Sequence, residues 1–189
     1  IASAFIEGMN QAGMKATGKH FPGHGGIYAD SHLTFSQDTR SLSELEDHDL
    51  LPFEALKFQL GAIMTAHISF SNIDKEIATF SKFWLQDILR NKLGFSGTIF
   101  SDDLSMKGAD YIGGIEAKVG KALESGCNMV LVCNDRPAAL KAINFLEKEK
   151  ISQSQKATKL KASQSIIWAD LEKDARRKDI IDKLNIIGK

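Results

Sequence analysis

The chain has 189 residues, 43% hydrophobic and 25% charged, enough apolar surface for one sizeable core and the wrong balance for a disordered or fibrous sequence. Lys plus Arg (24) equals Asp plus Glu (24), so no net field draws nucleic acid or an anionic membrane, and neither is expected as a partner. No apolar run nears the roughly 20 residues that span a bilayer. The two cysteines, Cys127 and Cys133, suit a reducing, cytoplasmic compartment better than a disulfide framework.

Ile1, Ala4, Phe5, Met9 and Ala12 share one helical face from the first residue, which predicts a chain that begins inside an element, as a fragment would, with no signal peptide ahead of it. Gly13 stops that helix. Lys15 to His20 reads as a short strand leading into a long Gly-, His- and Asp-rich loop, 21–40, of a length that goes with function. Ser41 with Glu44 forms a capping box for a helix running toward Leu60, which Pro52 must kink or divide. After Gly61, the run Ala62 to His67 is a second apolar strand.

A helix over about Ser81 to Leu93 ends at Gly94, and Gly97 to Ser101 is a third strand that delivers Asp102 and Asp103. The pattern then repeats. A helix over about Ile115 to Ser125 stops at Gly126, Asn128 to Cys133 is a fourth strand, and a helix follows over about Arg136 to Lys148. The tail, 151–189, is rich in Lys, Gln and Ser with apolar residues at Leu160, Ile166, Ile167, Leu171, Ile180, Ile181 and Leu184. It reads as helices packed on the outside of the domain.

Nearly all-apolar strands alternating with helices indicate parallel βα units covered on both faces. Four such units lie between about 15 and 148, so residues 1–150 read as the later half of an α/β (β/α)8 barrel, and 151–189 as a helical tail on it. A doubly wound open sheet is the competing architecture, although no glycine-rich phosphate fingerprint follows any strand.

In parallel βα folds reactive groups sit at the carboxyl ends of strands. That position selects Lys19 and His20, then His67, then Asp102 and Asp103, then Asn134, with His24, Asp30 and His32 added by the long loop. Asp102 can act as a nucleophile or stabilise a cationic transition state, or it can simply cap the next helix, a task Asp103 or Ser105 could also perform. Asp30 and His32, two residues apart, can face the same way and make a proton shuttle, or lie in a solvated loop with an Asx turn. Lys19 and His20 can donate hydrogen bonds to sugar hydroxyls. His24 can shape the loop, and His67 can shape the pocket and contact the substrate there. The His20 to His24 spacing matches that of metal sites, but Pro22 and Gly23 prevent the helix that gives such ligands a common face.

Taken together, Lys19-His20-Phe21-Pro22-Gly23-His24-Gly25, Asp30-Ser31-His32 and Phe100-Ser101-Asp102-Asp103-Leu104-Ser105-Met106 resemble glycoside hydrolase family 3. The likeness is greatest to its bacterial β-N-acetylhexosaminidases of peptidoglycan recycling, and it extends to Ala62-Ile63-Met64, Ala66-His67, Gly126-Cys127 and Met129 through Asn134. It implies a cytoplasmic, cofactor-free and metal-free retaining enzyme acting on a small carbohydrate, an N-acetylglucosamine-containing muropeptide. It implies Asp102 as nucleophile, His32 as general acid/base with Asp30 as its partner, and Lys19 and His20 as substrate contacts. The family's earlier strands, with further substrate-binding residues, have no counterpart in this sequence.

A histidine in place of the usual acid carboxylate has an ordinary pKa of about 6.5, suited to giving and then taking a proton, and Asp30 favours its charged form. Neutral after the first step, it repels an incoming anion less than a carboxylate would, so phosphorolysis of the same intermediate is the nearest alternative. A metal-dependent hydrolase using His20, His24, His32 and Asp30, and an inactive half barrel, are the others.

Overall fold

The computed structural model describes residues 1–26 and 36–187. Helix α1 (Ala2–Gln11) is followed by β1 (Thr17–Phe21), and the turn between them is closed by Gly13, whose φ of 77° an L side chain rarely adopts. The capping box forms as the sequence predicts: the Ser41 hydroxyl accepts the Glu44 N–H while Glu44 accepts the Ser41 N–H at 2.8 Å. The helix it starts is divided, not kinked. It ends as α2 (Leu42–Asp47) and resumes as α3 (Leu51–Leu56), with Pro52 in the first turn, where its missing N–H costs nothing.

Strand β3 (Ala62–Thr65) follows, and a wide helix spans Phe83–Lys92, closing bonds over five residues at its end (Leu93 N–H to Ile88 O, 2.8 Å). Ser81, the predicted first residue of this helix, caps it by accepting the Trp84 N–H at 3.0 Å. Then come β5 (Thr98–Asp103), α4 (Ile115–Ser125), β6 (Met129–Leu131) and α5 (Arg136–Lys148), the last over the predicted residues.

The sheet order β1-β3-β5-β6 is all parallel and follows chain order, each strand being laid beside its predecessor. A doubly wound sheet reverses direction at a switch point, whereas a barrel winds one way. The observed winding is therefore that of a barrel, with four of its strands present among the described residues. Beside β1, whose other edge has no strand partner among those residues, lies an apolar groove of about 640 Å³ bordered by Phe5, Met9, Thr17, Phe53 and Leu56.

One expectation needs correction. The stretch 21–40 is not loop throughout, because Ser36–Asp38 forms strand β2 and pairs in parallel with β4 (Ile68–Phe70). Ser, Gln and Asp are poor strand formers. Here the apolar partner strand, buried along its whole length, supplies the pairing that local sequence does not.

The core lies between sheet and helices. Trp84 is fully buried and meets Phe21, Phe70 and Phe83 at ring separations of 6.2, 5.0 and 5.4 Å, and Phe21 in turn meets Phe53 at 5.4 Å. Arg90 fixes the lower end of the sheet. Its guanidinium donates to the Phe95 and Gly97 carbonyls (2.7 Å each) and to Asn128 Oδ1 (2.8 Å), which also accepts the Ile99 N–H at 2.9 Å. The ends of the segment leading into β5 are thus tied to the residue before β6.

The tail begins with α6 (Gln155–Thr158), where Lys156 O accepts from the Thr98 hydroxyl at 2.9 Å, and Ser163 N–H reaches Gly13 O at 3.0 Å. Beyond it, α7 (Trp168–Lys173) and α8 (Ala175–Ile187) leave Ile167, Trp168, Ile180, Leu184 and Ile187 exposed.

Trp84→Ala should cost about 3–5 kcal/mol, because no neighbour can fill the space of the indole, whereas Ser41→Ala, which removes only the cap, should cost about 1 kcal/mol. Urea unfolding followed by circular dichroism should rank the two in that order.

Candidate active site

The register of the sheet brings the candidates to one level. Phe21 of β1 stands beside Thr65 of β3, Met64 beside Phe100 of β5, and Asp103 beside Leu131 of β6. Close to those points lie Lys19 and His20, in β1 just before Phe21, and, at or just past the other strands' points, Ala66 and His67, Asp102 and Asp103, and Val132 and Cys133. They form one rim at the carboxyl ends of the strands.

Asp102 and Asp103 have different surroundings. Asp103 Oδ1 accepts the N–H groups of Ser105 and Cys133 (2.9 Å each), and its Oδ2 accepts the Ser105 hydroxyl at 2.7 Å. Burial pushes this carboxyl up, but the Cys133 and Ser105 donors outweigh it and hold it below the ordinary carboxylate range. The bond to the amide two residues on makes Asp103 the cap of the turn that follows β5. Asp102, half-buried, accepts, among the described residues, only the Asp103 N–H, at Oδ1 and 2.8 Å. Its Oδ2 has no hydrogen-bond partner among the described residues and is available for chemistry.

His67 is 1% exposed. Its Nε2 lies 3.0 Å from the Asp103 carbonyl oxygen, which can only accept, so the ring donates there. Its Nδ1 lies 2.9 Å from the Thr79 hydroxyl, and the ring stacks on Phe80 at 5.9 Å. Burial is the main influence on its pKa and lowers it, against the opposing pull of Asp102 and the Asp103 carbonyl. Both ring nitrogens are engaged within the protein.

Lys19 is exposed, and His20 and His24 are half-buried with their rings 6.2 Å apart at an interplanar angle of 62°. The Lys19–His20 and Phe21–Pro22 peptide bonds are both cis. Asp30 and His32 lie outside the described residues. Among the described residues no three His, Cys, Asp or Glu side chains come together in a metal-holding group, and no helix is long and apolar enough to cross a membrane.

Several residues around the site were not singled out from sequence. Arg40 binds Asp38 through Nε and Nη2 (3.0 and 2.7 Å) and Asp49 through Nη1 (2.6 Å). Burial raises the Asp38 carboxyl, yet its bonds to Arg40 bring it below the ordinary range. An added Cβ at Gly23 would strike Asp49 and one at Gly26 would strike Arg40, so this ion-pair cluster packs closely against the chain just before residue 27. Lys118, buried on α4, donates to the Leu104 carbonyl at 2.9 Å and to Asp110 at 2.7 Å. The spacing Asp38-x-Arg40 was a usable signal for the cluster, while nothing local marks Thr79 or Lys118. Cys127 is buried and Cys133 exposed, both as free thiols. Burial, and then Asp103 and Asp102, push the Cys133 thiol up.

Residues 1–164 match the family described as glycosyl hydrolase family 3 N terminal domain. A Beta-hexosaminidase of Tolumonas auensis is 46% identical over 188 residues, covering 98% of this chain and 55% of that protein. One of Idiomarina loihiensis is 54% identical over 144 residues, covering 76% of this chain and 44% of that one. The crystal structure of NagZ from Neisseria gonorrhoeae in complex with N-trifluoroacetyl-D-glucosamine is similar with a TM-score of 0.75 at 40% identity, over 87% of this chain and 47% of that one. The chain spans about half the length of the relatives it matches. Its four wound strands are part of the barrel-like fold of those enzymes, and the chain belongs to glycoside hydrolase family 3, within that family's N-terminal domain.

Proposed function

We propose that this chain carries the nucleophile and the proton-transfer pair of a retaining β-N-acetylglucosaminidase that cleaves terminal N-acetylglucosamine from peptidoglycan-derived muropeptides in the cytoplasm. The observation that carries the reading is the division of labour between the two adjacent acids. Asp103 spends both oxygens on Ser105 and Cys133, while among the described residues Asp102 Oδ2 accepts no hydrogen bond. Relatives named Beta-hexosaminidase, and a NagZ structure holding an N-acylglucosamine derivative, support the reaction class and the sugar. Two unpaired cysteines suit a reducing compartment.

In the first step an Asp102 oxygen attacks the anomeric carbon, the bond to the leaving oxygen breaks, and His32 gives that oxygen its proton. The product is a glycosyl ester on Asp102. In the second step water attacks the same carbon, His32 takes a proton from it, and the Asp102 carboxylate is released, so two inversions give retention. Asp30 orients His32 and steadies its charged form. Lys19 and His20, at the end of β1, donate to sugar hydroxyls, and His24 shapes the turn beside them.

In the full-length protein a slow 2-fluoro sugar should label Asp102, as peptide mapping would read; a label on Asp103 or on any other residue rejects the assignment. Asp102→Ala should lower kcat on the order of 10⁴-fold or more. His32→Ala should lower it about 10²–10⁴-fold with poor leaving groups and much less with activated aryl glycosides. Wild-type rates in both variants would reject the mechanism, and a sugar 1-phosphate formed in phosphate buffer would identify phosphate as the acceptor.

A further inference from the structure

The buried imidazole of His67 takes no part in the chemistry just described, yet it sits against the residue next to the nucleophile. We propose that His67, neutral and protonated on Nε2, is a positioning residue that sets the orientation of the Asp102 carboxylate by clamping the backbone of Asp103. This rests on the reading of Asp102 as nucleophile.

The clamp can be followed bond by bond. His67 Nε2 donates to the Asp103 carbonyl at 3.0 Å. The Asp103 side chain is held at the same time by the Cys133 and Ser105 amides and the Ser105 hydroxyl. With both its carbonyl and its side chain fixed, Asp103 has little freedom left in φ and ψ, so the direction of its own N–H is set. That N–H is the group that binds Asp102 Oδ1 at 2.8 Å, and so fixes one oxygen of the carboxylate. Rotation of the Asp103 backbone would swing the carboxylate with it.

The tautomer is dictated by the same partners. A carbonyl oxygen cannot donate, so Nε2 must carry hydrogen, and in a neutral ring Nδ1 is then an acceptor. The Thr79 hydroxyl, 2.9 Å from Nδ1 and 3.0 Å from the Ala66 carbonyl, shares its one proton between them. Thr65, 2.8 Å away, donates in turn to Thr79. A chain of two buried hydroxyls therefore ends on the ring and locks its orientation. The charged groups that face the imidazole are Asp102 and Asp103 from β5 and Lys118 from α4, and burial outweighs them in keeping it uncharged. Phe80 covers one ring face. With both nitrogens bound and one face covered, His67 acts on the site through Asp103 and Asp102.

The test combines spectroscopy on the wild type with kinetics in the full-length protein. Nitrogen-15 spectra should show His67 as the Nε2–H tautomer, titrating below the ordinary histidine value of 6.5. His67→Leu should lower the rate of glycosyl-Asp102 formation about 10²-fold, the penalty expected for a misplaced nucleophile, with KM little changed. His67→Gln, whose side-chain amide can still donate to the Asp103 carbonyl, should recover most of that rate, and Thr79→Val should fall between. An Nδ1–H tautomer overturns the proposal. So do wild-type rates in a folded His67→Leu, and so does a loss of rate and thermal stability alike that His67→Gln does not relieve. If His67→Leu does not fold, the tautomer and the Thr79→Val rate decide. A 2-fluoro label on Asp102 together with unchanged rates removes the positioning role alone, whereas a label elsewhere removes the reading beneath it as well.

Discussion

The carboxylate of Asp103 is the contact on which the rim of the sheet depends. One side chain accepts the amide of Cys133 beyond β6 and the amide and hydroxyl of Ser105 in its own turn. It joins the ends of two neighbouring strands where parallel pairing gives out and the chain would otherwise splay. These donors leave it ionised in spite of partial burial. Because Asp103 does this structural work, Asp102 is relieved of it. Two identical residues in succession thus stand in different hydrogen-bond surroundings, set by which groups each one meets.

The lower end of the sheet is built on a similar economy of buried polar groups. Arg90 gathers two carbonyls and the Asn128 amide oxygen, and Asn128 also takes the Ile99 amide near the start of β5. Buried donors and acceptors left unpaired are costly, so such a cluster admits few alternative registers. With β5 fixed against β6 at the bottom by Arg90 and Asn128 and at the top by Asp103, the strand cannot slip. Slippage by one residue would exchange Asp102 and Asp103 between faces. Register, more than any single contact, holds the candidate nucleophile in place.

A third group of contacts reaches the rim from behind. His67 and Lys118 take the carbonyls of Asp103 and Leu104, two successive residues, from different elements of the fold. On the far side of the site, the Asp38–Arg40–Asp49 cluster packs against Gly23 and Gly26. Support of this kind is what preorganised catalytic groups require, since their geometry must not be remade at each turnover.

What the sequence determined by itself was everything that local chemistry governs. The capping box at Ser41 and Glu44, the glycine after α1, the strand that carries Asp102 and Asp103 and the helix Arg136–Lys148 depend on neighbours within a turn or two, and they stand where the residues indicate. The rank order of strand ends, and with it the short list of candidate residues, follows from the alternation of apolar runs. Tertiary structure alone decided the rest. The pairing of Ser36–Asp38 with Ile68–Phe70, the bond from His67 to Asp103 and the bond from Cys133 to Asp103 each join residues about 30 or more apart. No periodicity records such contacts, because they depend on how the strands are laid side by side. Position along the strand could nominate both Asp102 and Asp103. The family resemblance singles out Asp102, and the packed rim adds a physical difference: it occupies both oxygens of Asp103 and, among the described residues, leaves Asp102 Oδ2 without a hydrogen-bond partner.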